Sequence, residues 1–214
     1  MSFCAVLVIS AAMSGCDVPA DSNRARASYD PFTSRLVLLS VDQNRDGQID
    51  QWTYLDGNRP LSGEGDTDGD ARIDRWEYFD SSAQLVRVGS SSRNDGVEDT
   101  WVYVQPVGGE SRIDRSRGRD RHIDLRQYFV KDAMVRAEED SNGDGQVDRW
   151  DRYEAGALRE AAFDTSLAAG KPDRRLLYDA QGRFFAAEQD VERDGTFVRL
   201  TGAAADAAKA GVTK

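Results

Sequence analysis

A repeat of 24 or 25 residues runs through most of this 214-residue chain, and it restricts the possible folds more than any other feature. Aligned on the first position of an aspartate-rich loop, the seven units begin at Asp42, Asp66, Ser91, Ser116, Asp140, Thr165 and Asp190. The ninth loop position is Asp in the first six units. All four tryptophans, Trp52, Trp76, Trp101 and Trp150, follow it by two residues. Because repeats of this length are single supersecondary units, the chain is expected to stack seven similar units side by side.

Each unit has the pattern of a β-hairpin. Tyrosines follow the tryptophan column by two residues, so both columns share one face of a strand. Turn residues such as Asp56-Gly57-Asn58 come next, and a second short apolar segment follows. The sequence therefore predicts an all-β fold, an antiparallel meander of about seven hairpins over residues 35–200. A closed barrel is the alternative, since closure removes strand edges, and about 25 residues are too few for a four-stranded propeller blade.

The composition predicts a thin or elongated core. Only 39% of residues are hydrophobic, and the mean hydropathy is −0.63. The net charge of −10 disfavours nucleic acid and anionic membrane surfaces as partners.

The N-terminus has the features of a lipoprotein signal. Residues 3–13 form an apolar run that is too short to span a bilayer, and Ser14-Gly15-Cys16 follows it. This junction resembles the bacterial lipobox, although residues 1–16 contain no Lys or Arg and Met13 replaces the usual Leu. We expect a signal peptide over residues 1–16, a lipid anchor at Cys16 and a flexible tether over 17–34. A cleaved signal peptide with an incidental cysteine and a buried N-terminal helix are the alternatives. The Ala-rich tail, residues 201–214, is expected to be a short frayed helix or disordered.

Three of the loops have the spacing of a calcium site. Side-chain oxygens at alternate positions, with a turn residue at the sixth, can converge on one hard cation, and the seventh position can add its backbone carbonyl. The candidate ligands in unit 1 are Asp42, Asn44, Asp46, Gln48 and Asp50. In unit 2 they are Asp66, Asp68, Asp70, Arg72, Asp74 and Glu77, and in unit 5 they are Asp140, Asn142, Asp144, Gln146, Asp148 and Asp151. Unit 2 has Ala71 at the turn, where a β-carbon is unfavourable.

A competing interpretation is that Asp, Asn and Gly simply make tight turns. It explains four alternating oxygens poorly, because clustered carboxylates repel one another without a cation. Ca²⁺ is preferred over Mg²⁺, which requires a stricter octahedron, and no cysteine or histidine cluster supports zinc. The units at Ser91, Ser116 and Thr165 have lost most ligands, and Arg93, Arg117, Arg119 and Arg121 bring positive charge to the first two of these loops, so the three units are not expected to bind a cation. The unit at Asp190 is partial.

These loops resemble those of EF-hands, dockerins and thrombospondin type 3 repeats, and the whole array resembles aspartate-rich hairpin repeats of bacterial lipoproteins and YwqK/MORN-type arrays. The resemblance implies a β-hairpin array with calcium sites and no known activity. We expect a membrane-anchored envelope protein with a structural or binding role. A surface adhesion module that binds glycan or peptidoglycan through its aromatic face is the alternative, and a hydrolase is less favoured because no nucleophile motif is present. The lone histidine, His122, has no catalytic partner motif.

Overall fold

The computed structural model describes residues 24–107, 109–166 and 170–210. The expected signal peptide, Cys16 and the first part of the expected tether lie outside these ranges. No helix among the described residues is long and apolar enough to span a membrane.

The described chain forms one antiparallel sheet of 15 strands in sequential order, followed by a short helix. The first eight strands are β1 Ala25–Tyr29, β2 Leu36–Val41, β3 Gln51–Asp56, β4 Arg59–Gly65, β5 Arg75–Phe79, β6 Leu85–Ser90, β7 Thr100–Val107 and β8 Glu110–Arg115. The others are β9 Leu125–Val130, β10 Ala133–Glu139, β11 Arg149–Glu154, β12 Ala157–Phe163, β13 Arg174–Tyr178, β14 Phe184–Gln189 and β15 Val198–Arg199, and the helix α1 spans Ala203–Ala210. The predicted hairpin meander is confirmed. The sheet is open, so the alternative of a closed barrel is wrong.

The two ends of the strands carry different connections. The aspartate-rich loops join β2 to β3, β4 to β5 and so on along one end of the sheet, which we call the loop end. Tight turns join the two strands of each hairpin at the opposite, turn end. Consecutive loops therefore lie side by side, one unit apart.

A β-bulge recurs near the turn end. One residue of the second strand is skipped in the pairing of β1 with β2 and of five later hairpins. The skipped residues are Val37, Leu61, Val86, Val135, Arg159 and Phe185. Because a bulge increases the local right-handed twist, its repetition twists this long open sheet at regular intervals.

The strand register confirms that the tryptophan and tyrosine columns share one face. Trp52 pairs with Glu64, which pairs with Trp76, and Gly89 then joins Trp76 to Trp101 across the next strands. The tyrosine column runs beside this row. We call this side the aromatic face; it carries Trp52, Tyr54, Trp76, Tyr78, Trp101, Tyr103, Tyr128 and Trp150.

The core is thin, as the composition predicts. Among the described residues, one cluster of buried apolar side chains joins Leu176 and Ala187, on the face opposite the aromatic one, to Ala208 of α1. Phe163, Tyr178 and Phe184 pack around it. The Ala-rich tail thus forms a helix over residues 203–210, and this helix covers the last hairpin.

The sheet begins earlier than the sequence predicted. Residues 17–34 were expected to be a flexible tether, but Ala25–Tyr29 within that range form β1 and pair with β2. The segment is polar and aperiodic, so its composition gives no strand signal. It pairs because β2 offers a free row of backbone groups, and this bonding does not depend on side-chain pattern.

Candidate metal loops

Backbone hydrogen bonds fix the ends of every loop. In unit 1 the N–H of Asp50 donates to Val41 O at 3.1 Å, which closes the loop. The N–H of Asp66, the first residue of loop 2, then donates to Asp50 O at 2.8 Å. The same pair of bonds recurs along the loop end. The first and ninth positions of the loops are therefore rungs of a ladder that extends the sheet.

The ninth-position aspartates cap their own loops. The carboxylate of Asp50 accepts from Gln43 N at 2.9 Å, and that of Asp99 accepts from Ser92 N at 3.0 Å. Asp74, Asp124, Asp148 and Asp173 accept the corresponding N–H groups. Capping thus occurs in units with and without the other candidate ligands. It explains why the column persists in all six units, a role that sequence reasoning did not assign.

The first-position aspartates turn the loop backbone around one carboxylate. Asp66 accepts from Gly69 N at 2.7 Å, from Asp70 N at 3.3 Å and from Ala71 N at 2.7 Å. Burial acts to raise the pKa of Asp66, but these bonds outweigh it and hold the pKa below the ordinary value. Asp140 accepts all three equivalent N–H groups, and Asp42 accepts two of them, from Arg45 and Gly47. The first carboxylate of each of these loops is therefore held in place by the loop backbone.

The third and fifth positions make short local turns and face solvent. Asn44 Oδ1 accepts from Asp46 N at 2.9 Å, and Asp46 Oδ1 accepts from Gln48 N at 2.8 Å. Units 2 and 5 repeat both bonds. These side chains are exposed. Each fifth-position carboxylate uses one oxygen for its turn, and the other is directed to a neighbouring side chain in the same or the next loop.

Loop 2 brings three of its predicted ligands together. Carboxylate oxygens of Asp66, Asp68 and Asp74 all lie within 4.8 Å of one another. This is the separation of oxygens that can share one cation with ligand distances of about 2.3–2.6 Å. Loops 1 and 5 have Asn at the third position instead, and Asn44 and Asn142 donate to Asp46 and Asp144.

Two of the predicted ligands lie elsewhere. Glu77 and Asp151, at the twelfth position of units 2 and 5, lie on the sheet face opposite the aromatic one. Each pairs with an arginine two residues before it: Arg75 Nη2 lies 2.9 Å from Glu77 Oε1, and Arg149 Nη2 lies 2.9 Å from Asp151 Oδ2. The structure does not bring either carboxylate to its loop, because a strand, unlike the helix of an EF-hand, directs this residue away.

The residue at the sixth loop position has the positive φ that the predicted turn requires. Gly47 and Gly145 have φ of +92° and +88°, and Ala71 has φ of +67°. Ala71 is therefore held in a region that its β-carbon disfavours. The seventh residues, Gln48, Arg72 and Gln146, follow this turn, and their N–H groups donate to the fifth-position carboxylates.

The fourth residue of a loop reaches back to the loop before it. Asn94 of loop 3 donates to Asp68 Oδ2 at 2.5 Å and to Asp70 Oδ2 at 3.3 Å in loop 2. Arg119 of loop 4 pairs with Asp95 and Asp99 of loop 3.

Arg193 of loop 7 repeats this arrangement with Asp164 and Asp173, at 2.9 and 3.1 Å. All three reaching residues have positive φ. In loops 2 and 5 the fourth residue is Gly69 or Gly143, which has no side chain to reach with. Carboxylates of loops 3 and 6 are thus each paired with a guanidinium from the following loop. Loop 1 receives no such side chain, because the fourth residue of loop 2 is glycine.

Loop 6 begins one residue earlier than the sequence alignment placed it. The N–H of Asp164, not that of Thr165, donates to Asp148 O at 2.9 Å, as the first position of a loop does elsewhere. Asp164 is 4% exposed. Loop 6 is therefore one residue longer than the others, and it does begin with Asp. An alignment that allowed an insertion in the loop could have found this.

Most rings of the aromatic face are packed, and Tyr54 is the one among them that is exposed. Arg87, Arg112 and Arg136 lie over the rings of Tyr78, Tyr103 and Tyr128, at 3.9, 3.8 and 3.3 Å from the ring centres. Trp101 is only 6% exposed, and the other three tryptophans are half-buried. This supports a packing role for the two aromatic columns.

Unit 3 departs from this pattern at its eighth position. Glu98 stands where units 1, 2 and 4 have Ile, and it accepts from the Tyr78 hydroxyl at 2.8 Å. Gly89 makes room for it, because a β-carbon at that position would overlap the carboxylate. Burial, and then the bond to Glu98, raise the pKa of Tyr78 to about 12.

A comparison with protein families and with curated proteins finds no match for this chain. The functional interpretation therefore depends on the loops themselves.

Proposed function

We propose that this protein is a calcium-stabilised β-hairpin scaffold, anchored to a bacterial cell envelope through a lipid at Cys16. The observation that carries the proposal is the carboxylate triad of loop 2, Asp66, Asp68 and Asp74. Three carboxylates in so small a volume repel one another, and a divalent cation offsets that repulsion. Cys16 lies outside the described residues, and fractionation of a Cys16→Ser variant tests the anchor: the variant should leave the membrane fraction.

The proposed sites are loops 1, 2 and 5. Their third- and fifth-position oxygens face solvent, so a hydrated cation can reach them. Loops 3 and 6 are excluded because Arg119 and Arg193 already neutralise their carboxylates. Affinity should be weak, with a Kd on the order of 10⁻⁴ to 10⁻³ M, as in extracellular modules that face abundant calcium.

Terbium luminescence tests the sites directly. Trp52, Trp76 and Trp150 stand two residues after the ninth-position Asp of loops 1, 2 and 5, close enough to sensitise Tb³⁺ bound there. Calcium should displace the ion and quench the emission. The melting temperature should also rise with millimolar Ca²⁺, since the unfolded chain has no formed site.

A matched pair of substitutions separates a metal ligand from a turn residue. Asp70 and Asp120 both occupy the fifth loop position, both are exposed, and both accept an N–H at 2.9 Å, from Arg72 and His122 respectively. Asn can accept the same bond, so Asp→Asn leaves the turn intact and removes only the charge.

Asp70→Asn should weaken terbium binding to loop 2, so that the emission at limiting Tb³⁺ falls by up to about a third, because loop 2 is one of three proposed sites of similar ligand number and Asn keeps a ligand oxygen without the charge. Asp120→Asn should leave the emission unchanged. Equal effects of the two variants, or no sensitised emission together with a melting temperature indifferent to calcium, would mean that the aspartates serve only to make turns.

A further inference from the structure

The two outer strands of the open sheet are protected to different degrees. At the C-terminal side, β15 is only two residues long, and α1 packs on β14 beside it. Short edge strands of this kind resist pairing with another chain. At the N-terminal side, β1 is five residues long, all five are exposed, and no described strand pairs with its outer side.

The register of β1 shows which backbone groups point outward. Asp42 N donates to Arg24 O at 2.8 Å, so Arg24 bonds toward β2. Bonding direction alternates along an antiparallel strand, so Arg26 and Ser28 also bond toward β2. The N–H and C=O groups of Ala25, Ala27 and Tyr29 therefore point away from the sheet. They form a row of backbone donors and acceptors that a further strand could bond.

We propose that β1 pairs with β1 of a second copy of this chain. In the antiparallel arrangement the two-fold axis passes beside Ala27, so that Ala27 faces the partner's Ala27. Ala25 then faces the partner's Tyr29 in both directions. All three outward-pointing residues of each copy fall on hydrogen-bonded positions, and two sheets join into one.

The side chains are self-complementary in this register. The small Ala25 and the large Tyr29 oppose each other, and Tyr29, which is 61% exposed in the single chain, becomes covered. Arg26 faces the partner's Ser28, so the two positively charged Arg26 residues do not lie directly opposite each other.

Disulfide cross-linking tests the register. In a background of Cys4→Ser and Cys16→Ser, Ala27→Cys places two thiols opposite each other across the axis. The Cα separation of a hydrogen-bonded pair, about 5.5 Å, lies within the range that a disulfide spans. Ala27→Cys should oxidise to a covalent dimer, whereas Ser28→Cys, which faces the partner's Arg26, should remain largely monomeric. Equal cross-linking at both positions would contradict the proposed register.

Sedimentation of the full-length chain tests the interface itself. Ala27→Pro removes an N–H that bonds no strand of its own sheet, so the variant should fold and remain monomeric. Ala27→Ser keeps the N–H and should dimerise like the unchanged chain. Circular dichroism establishes that both variants are folded. A monomer at every concentration for the unchanged chain, or a dimer that folded Ala27→Pro leaves intact, would overturn the proposal.

Discussion

At the scale of single residues, the fourth loop position decides what neutralises the preceding loop. Arginine there supplies a fixed cation, asparagine supplies an amide, and glycine supplies nothing. Arg119 shows the first case: its side chain is 12% exposed and lies 3.2 Å from Asp99, which is 2% exposed. A carboxylate this deeply buried needs a counter-charge as well as its bonds to Ser92.

Replacing Arg119 by Ala should therefore destabilise the protein by about 2 kcal/mol, because the buried Asp99 loses its partner cation. Arg121 lies in the same loop and is exposed, so Arg121→Ala should change the free energy of unfolding by less than about 0.5 kcal/mol. Urea denaturation of the two variants measures the difference. Similar free energies of unfolding would show that Arg119 is only a surface cation.

At the scale of elements, the repeating module is a loop followed by a bulged hairpin, and it contacts mainly its neighbours. Removing one whole module should therefore leave the others folded, with the next loop taking the vacated place on the ladder. Deletion of residues 91–115 would put Ser116 N opposite Asp74 O, where Ser91 N now donates. Arg119 would then stand where Asn94 reaches the carboxylates of loop 2.

This deletion should retain β-type circular dichroism and lose the terbium emission of loop 2, since a guanidinium would occupy Asp68 and Asp70. Adding Arg119→Asn to the deletion should restore the emission. Deletion of residues 116–139 is the matched control, because it removes a module of similar length and leaves Asn94 in place. Complete unfolding of both deletions would show that the sheet folds as one indivisible unit.

At the scale of the whole molecule, a thin sheet with many ionised aspartates should be sensitive to acid. The pKa is lowered at Asp30, Asp66, Asp95, Asp120, Asp179 and Asp194. Burial acts to raise the pKa of Asp66 and Asp95, but hydrogen bonds outweigh it; backbone N–H groups are the main cause at the other four. When the pH is above the ordinary pKa of 3.8, each of these carboxylates contributes stability to the folded state. That stability is lost as the pH falls through the lowered pKa of the folded state.

The pKa of Asp114 is shifted in the opposite direction. It is fully buried on the aromatic face, and burial raises its pKa despite Arg112 and Arg126 nearby. Arg112 Nε lies 3.0 Å from Asp114 Oδ1, but neither carboxylate oxygen has a well-aligned hydrogen bond among the described residues. Because the pKa of Asp114 is raised on folding, its contribution to the stability of the fold is fully present when the pH is below the ordinary pKa. That contribution is lost as the pH rises through the raised pKa.

Asp114→Asn should therefore be more stable than the unchanged chain at pH 7, by about 1 kcal/mol, and the difference should shrink toward pH 4. Asp120→Asn should show the reverse trend, with its deficit largest at neutral pH. Urea denaturation at both pH values measures each trend. The unchanged chain should be less stable at acid pH overall, because the lowered groups outnumber Asp114. Parallel pH profiles for the two variants would contradict this assignment.

The repeat itself determined the fold class. Fixed spacing of Asp, Trp and Tyr placed the hairpin strands after β1, the turns and six of the seven loops, with loop 6 one residue too late, because strand periodicity and turn chemistry are local properties of the chain. The same local pattern located the first, third, fifth and ninth loop positions. It also predicted a thin core, since the apolar content is too low for a deep one.

The tertiary structure decided what depends on neighbours. Whether the sheet closes depends on twist accumulated over all its strands, which no single repeat encodes. Likewise, Glu77 and Asp151 were predicted as ligands from sequence distance, yet the strand directs them to arginines on the sheet face.

The reach of Asn94, Arg119 and Arg193 into the preceding loop depends on the register between units, which brings residues about 25 positions apart into contact. The polar segment Ala25–Tyr29 became a strand for the same reason: backbone pairing needs a free neighbouring edge and not a hydrophobic pattern.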